Sequence, residues 1–356
     1  MIRSLRIRLM LGAAALAVLF MLALLPALQR AFGIALENTI EQRLAADVAT
    51  LVSAARVEKG RLVMPEHLPV EEFNLPEAKT SITWEGADSV LVGTDFGPGS
   101  LTDSGYPRIV KRWRRGQALA EATTLFEGSA SDVSVGAGYD PTPGYERLFI
   151  SRSTDFFNRE YYELRGDQPV RVEVPTDAGI SAHREWLLIR PRTDWQVGST
   201  LHPAGSLLAA KYDEFLTGTA ELTVVFEPDA HTSLESFSWT RDRLILLTLA
   251  DVASRLEITT PGSWHREPVA GIPPNTNAVI VDVDEYGDEI FVDCSGFTVP
   301  SRLLWGHAGE SLVEVKSAPS FFDATDLEVS QHFVASADGT RIPYFVVGHR
   351  DRSGPG

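Results

Sequence analysis

Residues 278–293, Ala-Val-Ile-Val-Asp-Val-Asp-Glu-Tyr-Gly-Asp-Glu-Ile-Phe-Val-Asp, decide the fold class. Two short apolar runs, 278–283 and 289–293, flank a polar segment that contains a glycine. This pattern predicts two strands joined by a tight turn centred on Tyr286 and Gly287. Similar β-rich runs recur before it, at 89–93, 147–151, 186–190, 222–226 and 243–248.

The same segment also resembles a calcium-binding loop. Asp282, Asp284 and Asp293 occupy the first, third and twelfth places of such a loop, and Gly287 the sixth. Tyr286 stands in the fifth place, where an oxygen ligand is needed, and strands rather than helices are predicted on both sides. A β-hairpin is therefore the favoured interpretation, and no metal ligand is assigned.

Short strands separated by Gly, Pro and Asp continue from about residue 75 towards the C-terminus. Such spacing is typical of an all-β sandwich, barrel or propeller. Five tryptophans of this region fit the packing between propeller blades: Trp186, Trp195, Trp239, Trp264 and Trp305. At about 40–50 residues per blade, the region has room for about five or six blades. The predicted fold is therefore all-β, a partial β-propeller.

Composition excludes several functional classes. The 356-residue chain has a formal net charge of −16, which opposes general binding to nucleic acid. The basic run from Lys111 to Arg115, with Trp113 inside it, is interpreted as a solvated strand edge whose charges discourage pairing. Cys294 is the only cysteine, so the chain forms no internal disulfide, and we interpret it as a small strand residue.

The N-terminal region predicts a membrane anchor. The 20 residues from Leu9 to Leu28 carry no charge and would span about 30 Å as a helix. Arg3, Arg6 and Arg8 precede this run, which places the N-terminus in the cytoplasm and the rest of a single-pass inner-membrane protein in the periplasm. A cleaved signal peptide and a buried helix of a soluble domain are the two alternatives.

Residues 31–59 predict an amphipathic helix that ends before Gly60. Its apolar stripe contains Leu36, Ile40, Leu44, Val48, Leu51 and Ala55. The stripe could pack within its own domain or pair with a second copy, giving a homodimer through helix 31–59. The predicted organisation is thus an anchor at 1–30, an amphipathic helix and linker at 31–74, and the β-rich region at 75–347.

Residues 1–74 resemble the start of a bacterial sensor histidine kinase. The resemblance rests on the order of a basic start, a membrane helix and an amphipathic helix, followed by Leu62-Val-Met-Pro65 and Pro69-Val-Glu-Glu-Phe-Asn74. The chain has no His followed by Glu-Leu-Arg in a dimerisation helix and no Gly-rich ATP lid. A working kinase is therefore not expected.

A second resemblance covers residues 75–347. It is carried by the segment from Trp84 to Trp113, then by Gly128-Ser-Ala-Ser-Asp-Val-Ser-Val135, Ser151-Arg-Ser-Thr-Asp-Phe-Phe157, Ala182-His-Arg-Glu-Trp-Leu187, Ser295-Gly-Phe297 and Ser336-Ala-Asp-Gly-Thr-Arg-Ile-Pro-Tyr-Phe-Val-Val347. In this order they resemble the N-terminal β-propeller region of prolyl oligopeptidase family serine peptidases.

The resemblance implies a propeller that is seven-bladed in full-length relatives and admits only short peptides, which those enzymes cleave after proline. Residues 336–347 resemble the point where the chain leaves the propeller, as a hairpin that leads into a buried strand. Residues 348–356 would then begin a catalytic hydrolase domain that this chain lacks.

No catalytic residue is assigned. The family's nucleophile stands in Gly-x-Ser-x-Gly, and no serine of this chain has glycine at both flanking positions of that pattern. His183 precedes a predicted strand, where a structural histidine is expected rather than a general base. Catalytic, cofactor-binding and metal residues are thus all expected to be none, and the chain alone is predicted to be inactive.

Three further functional hypotheses stay open from the sequence. The chain could be a membrane-tethered module that binds short peptides or a protein partner, a sensor-type ectodomain, or the product of a fusion or truncation. An incomplete propeller would expose strand edges and inner faces, so association or rearranged closure is expected.

Overall fold

A computed structural model describes residues 56–58, 61–63 and 79–350. The chain divides into two units at Lys79. In the first unit, β1 (Arg56–Glu58) pairs antiparallel with β2 (Arg61–Val63). The amphipathic helix predicted over 31–59 is therefore wrong at its end, because residues 56–58 adopt strand pairing.

The rest of that helix and the run from Leu9 to Leu28 lie outside the described residues. Within the residues that are described, no helix has the length and apolar character needed to cross a membrane.

The second unit contains five four-stranded antiparallel sheets that follow one another along the chain. Sheet I comprises β3 (Ser81–Trp84), β4 (Ser89–Gly93), β5 (Ile109–Arg114) and β6 (Thr123–Glu127). Sheet II comprises β7 (Ser134–Asp140), β8 (Arg147–Ser153), β9 (Arg159–Arg165) and β10 (Gln168–Val172).

Sheet III comprises β11 (Gly179–His183), β12 (Trp186–Arg190), β15 (Leu207–Lys211) and β16 (Thr223–Phe226). A separate hairpin of β13 (Trp195–Val197) and β14 (Thr200–His202) comes between β12 and β15, and helix α1 (Tyr212–Leu216) follows β15.

Sheet IV comprises β17 (Thr232–Trp239), β18 (Leu244–Ala250), β19 (Ala253–Thr259) and β20 (Arg266–Pro268). Sheet V comprises β21 (Thr276–Val283), β22 (Glu289–Gly296), β23 (Arg302–His307) and β24 (Val313–Ser317). A last hairpin, β25 (Leu327–Ala335) with β26 (Arg341–His349), forms a two-stranded sheet of its own.

Each sheet packs its broad face on the next sheet, and each of the four junctions has its own hydrophobic core. Leu91 and Ile150 belong to the core of sheets I and II, and Val172 and Leu187 to that of sheets II and III. The third core, of sheets III and IV, contains Leu188, Leu246, Trp239 and Trp264, with Trp186 packed on it. The fourth, of sheets IV and V, contains Ile245, Leu256, Ile290, Val292 and Cys294.

The second strands of sheets II, III and IV each supply side chains to two cores. In β12, Leu187 and Ile189 contact the core shared with sheet II, whereas Leu188 contacts the core shared with sheet IV. Alternation along a strand sends neighbouring side chains to opposite faces, so a strand buried on both faces must be apolar throughout. The continuous apolar runs of the sequence are these strands.

The structure confirms an all-β, propeller-like domain and gives five four-stranded sheets. The turn predicted at Tyr286 and Gly287 joins β21 to β22, and Asp284 donates its backbone N–H to the carbonyl oxygen of Glu289 at 2.9 Å. Nothing in the described part of the chain groups three or more His, Cys, Asp or Glu side chains as a metal site would.

Two local predictions are wrong. The basic run at 111–115 is not at a sheet edge, since β5 pairs with both β4 and β6. Its Arg112 faces sheet II and forms ion pairs with Glu85 and Asp167. The strand after Gly339 is not buried either, because β26 pairs on one side only and Ile342, Tyr344 and Val346 are each 44% exposed.

Candidate functional site

The hairpin β25–β26 lies against one end of sheets IV and V, and this end is the candidate functional site. Gln331 on β25 donates its side-chain Nε2–H to the carbonyl oxygen of Asp251 at 2.6 Å. Asn275 donates its Nδ2–H to the carbonyl oxygen of Val329 at 3.1 Å. The rings of Phe297 and Phe345 lie 5.6 Å apart. These contacts hold the hairpin over the loops and leave a cleft on each of two sides.

The loop that Gln331 contacts has an unusual backbone. Asp251 and Val252 are the two residues between β18 and β19, and their φ angles are +48° and +63°. A two-residue hairpin loop of this kind needs positive φ at both positions and normally contains Asn, Asp or Gly. A β-branched residue is strained there. Val252 is also 62% exposed, so burial of its side chain does not compensate for the strain.

The first cleft, which we call the aromatic cleft, has a volume of about 320 Å³. Its principal lining residues are Val252, Asn275, Asn277, Ser295, Phe297 and Phe345. Phe297 is 58% exposed, so an apolar ring faces solvent beside amide and hydroxyl groups. An apolar surface with a few polar groups at its rim suits a small peptide segment, which offers both apolar side chains and backbone hydrogen-bonding groups.

The second cleft, which we call the charged cleft, has a volume of about 470 Å³ and lies between β17, the 251–252 loop and the start of β26. His231 Nδ1 lies 3.0 Å from Asp251 Oδ1. Asp229 Oδ1 accepts the backbone N–H groups of His231 and Thr232 at 2.7 Å each, and these bonds lower the pKa of the Asp229 carboxyl. Arg341 adds a cation to the lining. Both signs of charge are thus available to the ends of a short peptide.

Two partial catalytic pairs occur in the described residues, one on β25 and one in the charged cleft, but they are not joined. Ser330 Oγ lies 2.8 Å from His332 Nε2 on β25, and His231 contacts Asp251. A serine nucleophile requires a histidine that is itself oriented by a carboxylate. Within residues 79–350, no hydrogen bond or ion pair links the two pairs, so they do not form a catalytic triad.

The other residues singled out from the sequence lie away from the clefts. His183 is buried, stacks on Trp239 at 4.6 Å and has Nε2 3.0 Å from the carbonyl oxygen of Arg241, so its contacts are with the core and the backbone. Cys294 is fully buried in the fourth core, and burial raises the pKa of its thiol, so it is not an activated thiolate.

Arg112, Arg114 and Arg115 of the basic run line an open groove, and two of them are paired. Arg112 contacts Glu85 and Asp167, and Arg115 Nε lies 3.0 Å from Asp88 Oδ1. The guanidinium groups of Arg112 and Arg115 are thus paired with carboxylates of the same chain.

Sequence reasoning missed most of the cleft residues. Phe297 lies in 295–297, and Arg341 and Phe345 lie in 336–347, two of the segments that carry the family resemblance. The 251–252 loop gave no signal, because Asp-Val is not a dipeptide that predicts positive φ. Asn275 and Gln331 act through contacts with residues 54 and 80 positions away, which no local pattern encodes.

Comparisons with known proteins agree with the fold. No protein-family model matches the chain. It is 32% identical over 320 residues to an uncharacterized peptidase of Sinorhizobium fredii, covering 85% of this chain and 43% of that protein. It is 27% identical over 278 residues to an uncharacterized peptidase of Rickettsia prowazekii, covering 74% of this chain and 38% of that protein.

Solved structures give the same result. A post-proline cleaving enzyme from Rickettsia typhi matches with a TM-score of 0.66 and 25% identity over 82% of this chain and 44% of that one. A prolyl endopeptidase matches in fold, with a TM-score of 0.55 and 14% identity, over 83% of this chain and 41% of that one. The homologues are therefore peptidases related to prolyl oligopeptidase, and the chain spans less than half the length of each.

Proposed function

We propose that this chain is the propeller-like, substrate-gating portion of a prolyl oligopeptidase-type serine peptidase, whose reaction is the hydrolysis of short peptides after proline. The observation that supports this most directly is the collinear match of 82% of the chain to 44% of a post-proline cleaving enzyme. The row of five sheets followed by a separate hairpin is consistent with it.

The proposed role of the hairpin-bearing end is to select what passes it. The aromatic cleft offers Phe297 and Phe345 to an apolar side chain, and the charged cleft offers His231 with Asp251, and Arg341, to peptide termini. Clefts of about 320 and 470 Å³ accommodate a few residues of peptide rather than a folded protein.

The catalytic part of the proposal is tested by assaying the purified full-length chain with a proline-containing chromogenic peptide. We expect no hydrolysis above background, since the Ser330–His332 and His231–Asp251 pairs are not joined. Turnover that is stopped by a serine-directed inhibitor and lost in Ser330→Ala would contradict this expectation.

A membrane-tethered peptide-binding module without enzymatic activity is the second candidate, and the exposed ring of Phe297 favours it. Its test is a calorimetric titration of the full-length chain with proline-containing peptides of four to six residues. We expect Phe297→Ala to weaken binding about tenfold, which corresponds to about 1.4 kcal/mol. The matched control is Phe156→Ala, which removes an 89% exposed ring on a loop of sheet II.

Both candidates predict that the chain binds the peptide without hydrolysing it. Binding that depends on Phe297 but leaves the peptide intact supports a gate or a binding module. If none of the peptides gave a heat of binding, the proposed role of the two clefts in peptide binding would be contradicted.

A further inference from the structure

The sheets stack in one direction, and this leaves one apolar face at each end of the row. We call the face of a sheet that packs on the following sheet its front, and the opposite face its back. In all four junctions a front packs on a back: for example, Leu91 and Val110 on the front of sheet I meet Val135 and Ile150 on the back of sheet II. No described core contains residues of both sheet I and sheet V.

The front of sheet V is apolar although no described sheet covers it. Ile290, Val292 and Cys294 of β22 point to the back, so Phe291 between them points to the front. Phe291 pairs with Trp305 in the adjacent strand, and Trp305 pairs with Val313. Val279 is 47% exposed and Val313 is 54% exposed. The corresponding front side chains of sheets I to IV fill cores.

The back of sheet I is its counterpart. Thr83 of β3 donates its hydroxyl to the carbonyl oxygen of Ala137 in sheet II, so its neighbours Ile82 and Trp84 point to the back. They are 60% and 62% exposed. Trp84 pairs with Val90, which pairs with Trp113, so apolar side chains continue across three strands, with Val90 itself buried and Trp84 exposed.

The charges at the two faces are complementary. Lys111, whose neighbours Val110 and Arg112 face sheet II, lies on the back of sheet I and has no ion-pair partner among the described residues. Asp293 and Glu289 alternate with the core residues of β22 and lie on the front of sheet V. Neither of these carboxylates has a cationic partner within residues 79–350.

We propose that two copies of this chain associate by placing the back of sheet I of each copy on the front of sheet V of the other. The contact repeats the front-to-back stacking that all four internal junctions use, and two such contacts close the pair, so that neither apolar face stays open. Trp84 and Ile82 pack over Phe291 and Val279 in each contact, and Lys111 lies near the carboxylates of β22.

The test measures the molar mass of the full-length chain by light scattering, in a mild detergent micelle because of residues 9–28. We expect a species of twice the 39.0 kDa chain mass. Trp84→Lys and Val279→Lys should each raise the dissociation constant at least about tenfold, since each places a cation in the apolar contact. The control Phe156→Lys changes a more exposed aromatic residue outside both faces and should leave the mass unchanged.

A mixture of the two lysine variants tests which faces meet more directly than either variant alone. A copy with Trp84→Lys keeps an intact sheet V, and a copy with Val279→Lys keeps an intact sheet I, so an equimolar mixture should recover dimers through one unmodified contact. A monomer at all concentrations would overturn the proposal. So would a dimer that neither substitution weakens, or species that grow beyond the dimer with concentration.

Disulfide trapping keeps the proposal testable if a lysine variant fails to fold. Copies carrying Ile82→Cys and copies carrying Val279→Cys should form a mixed disulfide-linked dimer under mild oxidation. Cys294 is fully buried and does not compete. Crosslinking equal to that of a Phe156→Cys and Val279→Cys mixture would contradict the proposed contact.

Discussion

Asp132 and Val252 both occupy unfavourable positions, but only the first is compensated by its neighbours. Arg152 binds Asp132 through Nε at 2.8 Å and Nη2 at 3.0 Å, and Asp132 is 4% exposed. Burial alone would raise the pKa of Asp132, but the bonds from Arg152 and the Ser129 amide lower it. Val252, by contrast, is held at positive φ on the surface with no such compensation.

Val252→Gly should stabilise the second unit. Glycine adopts positive φ without the clash that a β-branched residue has there, so we expect the free energy of unfolding to rise by about 1 kcal/mol. Urea unfolding monitored by tryptophan fluorescence measures the change. Val252→Ala keeps a Cβ at the same position, so it should raise the free energy of unfolding by less than Val252→Gly does. A lower urea midpoint for the glycine variant would show that the loop is not strained.

Arg152→Met should destabilise the fold by about 3 kcal/mol, because it leaves the buried carboxylate of Asp132 without its cation. Arg115→Met is the matched control. It removes an arginine from a pair with Asp88 whose side chains are 65% and 81% exposed, so we expect a change within about 0.5 kcal/mol. Thermal unfolding of both variants measures the two losses of stability. Equal losses would show that the buried Arg152–Asp132 pair matters no more than the exposed Arg115–Asp88 pair.

Among the elements, the hairpin β25–β26 depends on its turn more than the strands of the four-stranded sheets do, because neither of its strands pairs with a third described strand. Asp338 accepts hydrogen bonds from the hydroxyl of Ser336 and from the backbone N–H of Thr340. Gly339 completes the turn at a φ of +88°. The Ser336 hydroxyl, followed by the Thr340 amide, lowers the pKa of Asp338 to about 2.

The turn should therefore be sensitive to acid. The pKa of Asp338 is lower in the folded turn than the ordinary value of 3.8, so its contribution is fully present above that value and is lost as the pH falls towards about 2. NMR titration of the Gly339 and Thr340 amides should show this transition. Asp338→Asn should remove it, and an unchanged profile in that variant would assign the transition to another group.

The elements also show what the sequence could and could not predict. β4 and β12 have the predicted bounds, since an apolar run between polar turns is a local signal. The pairing of β5 on both sides was missed, because local charge at Lys111 and Arg112 says nothing about which strands adjoin. Arg112 is neutralised by Asp167, which is 55 residues away. The clefts escaped prediction for the same reason, as they form where loops from separate sheets meet.

At the scale of the whole molecule, stability resides in the four cores between successive sheets. Leu187, Leu188, Leu244, Ile245 and Leu246 are all fully buried, and they lie in second strands that serve two cores each. The ends of the row have one core each, and the hairpin β25–β26 has exposed side chains along both strands. The protection of backbone amides against hydrogen exchange should therefore vary along the chain.

Hydrogen exchange should show this variation. We expect the amides of β12 and β18 to exchange slowest, near the rate set by global unfolding, and those of β26 to exchange much faster. Mass spectrometry of peptic fragments from the full-length chain measures both. Equal protection of β18 and β26 would mean that the unit opens as a single body.

The burial of Cys294 gives the molecule a reporter of its own motions. It is the sole thiol of the chain and is 0% exposed in the core between sheets IV and V. A thiol-reactive dye can reach its Sγ only when that core opens, so the labelling rate of the unmodified protein records how often sheet V separates from sheet IV. Binding of a peptide, a second copy or a further domain to sheet V should slow that reaction.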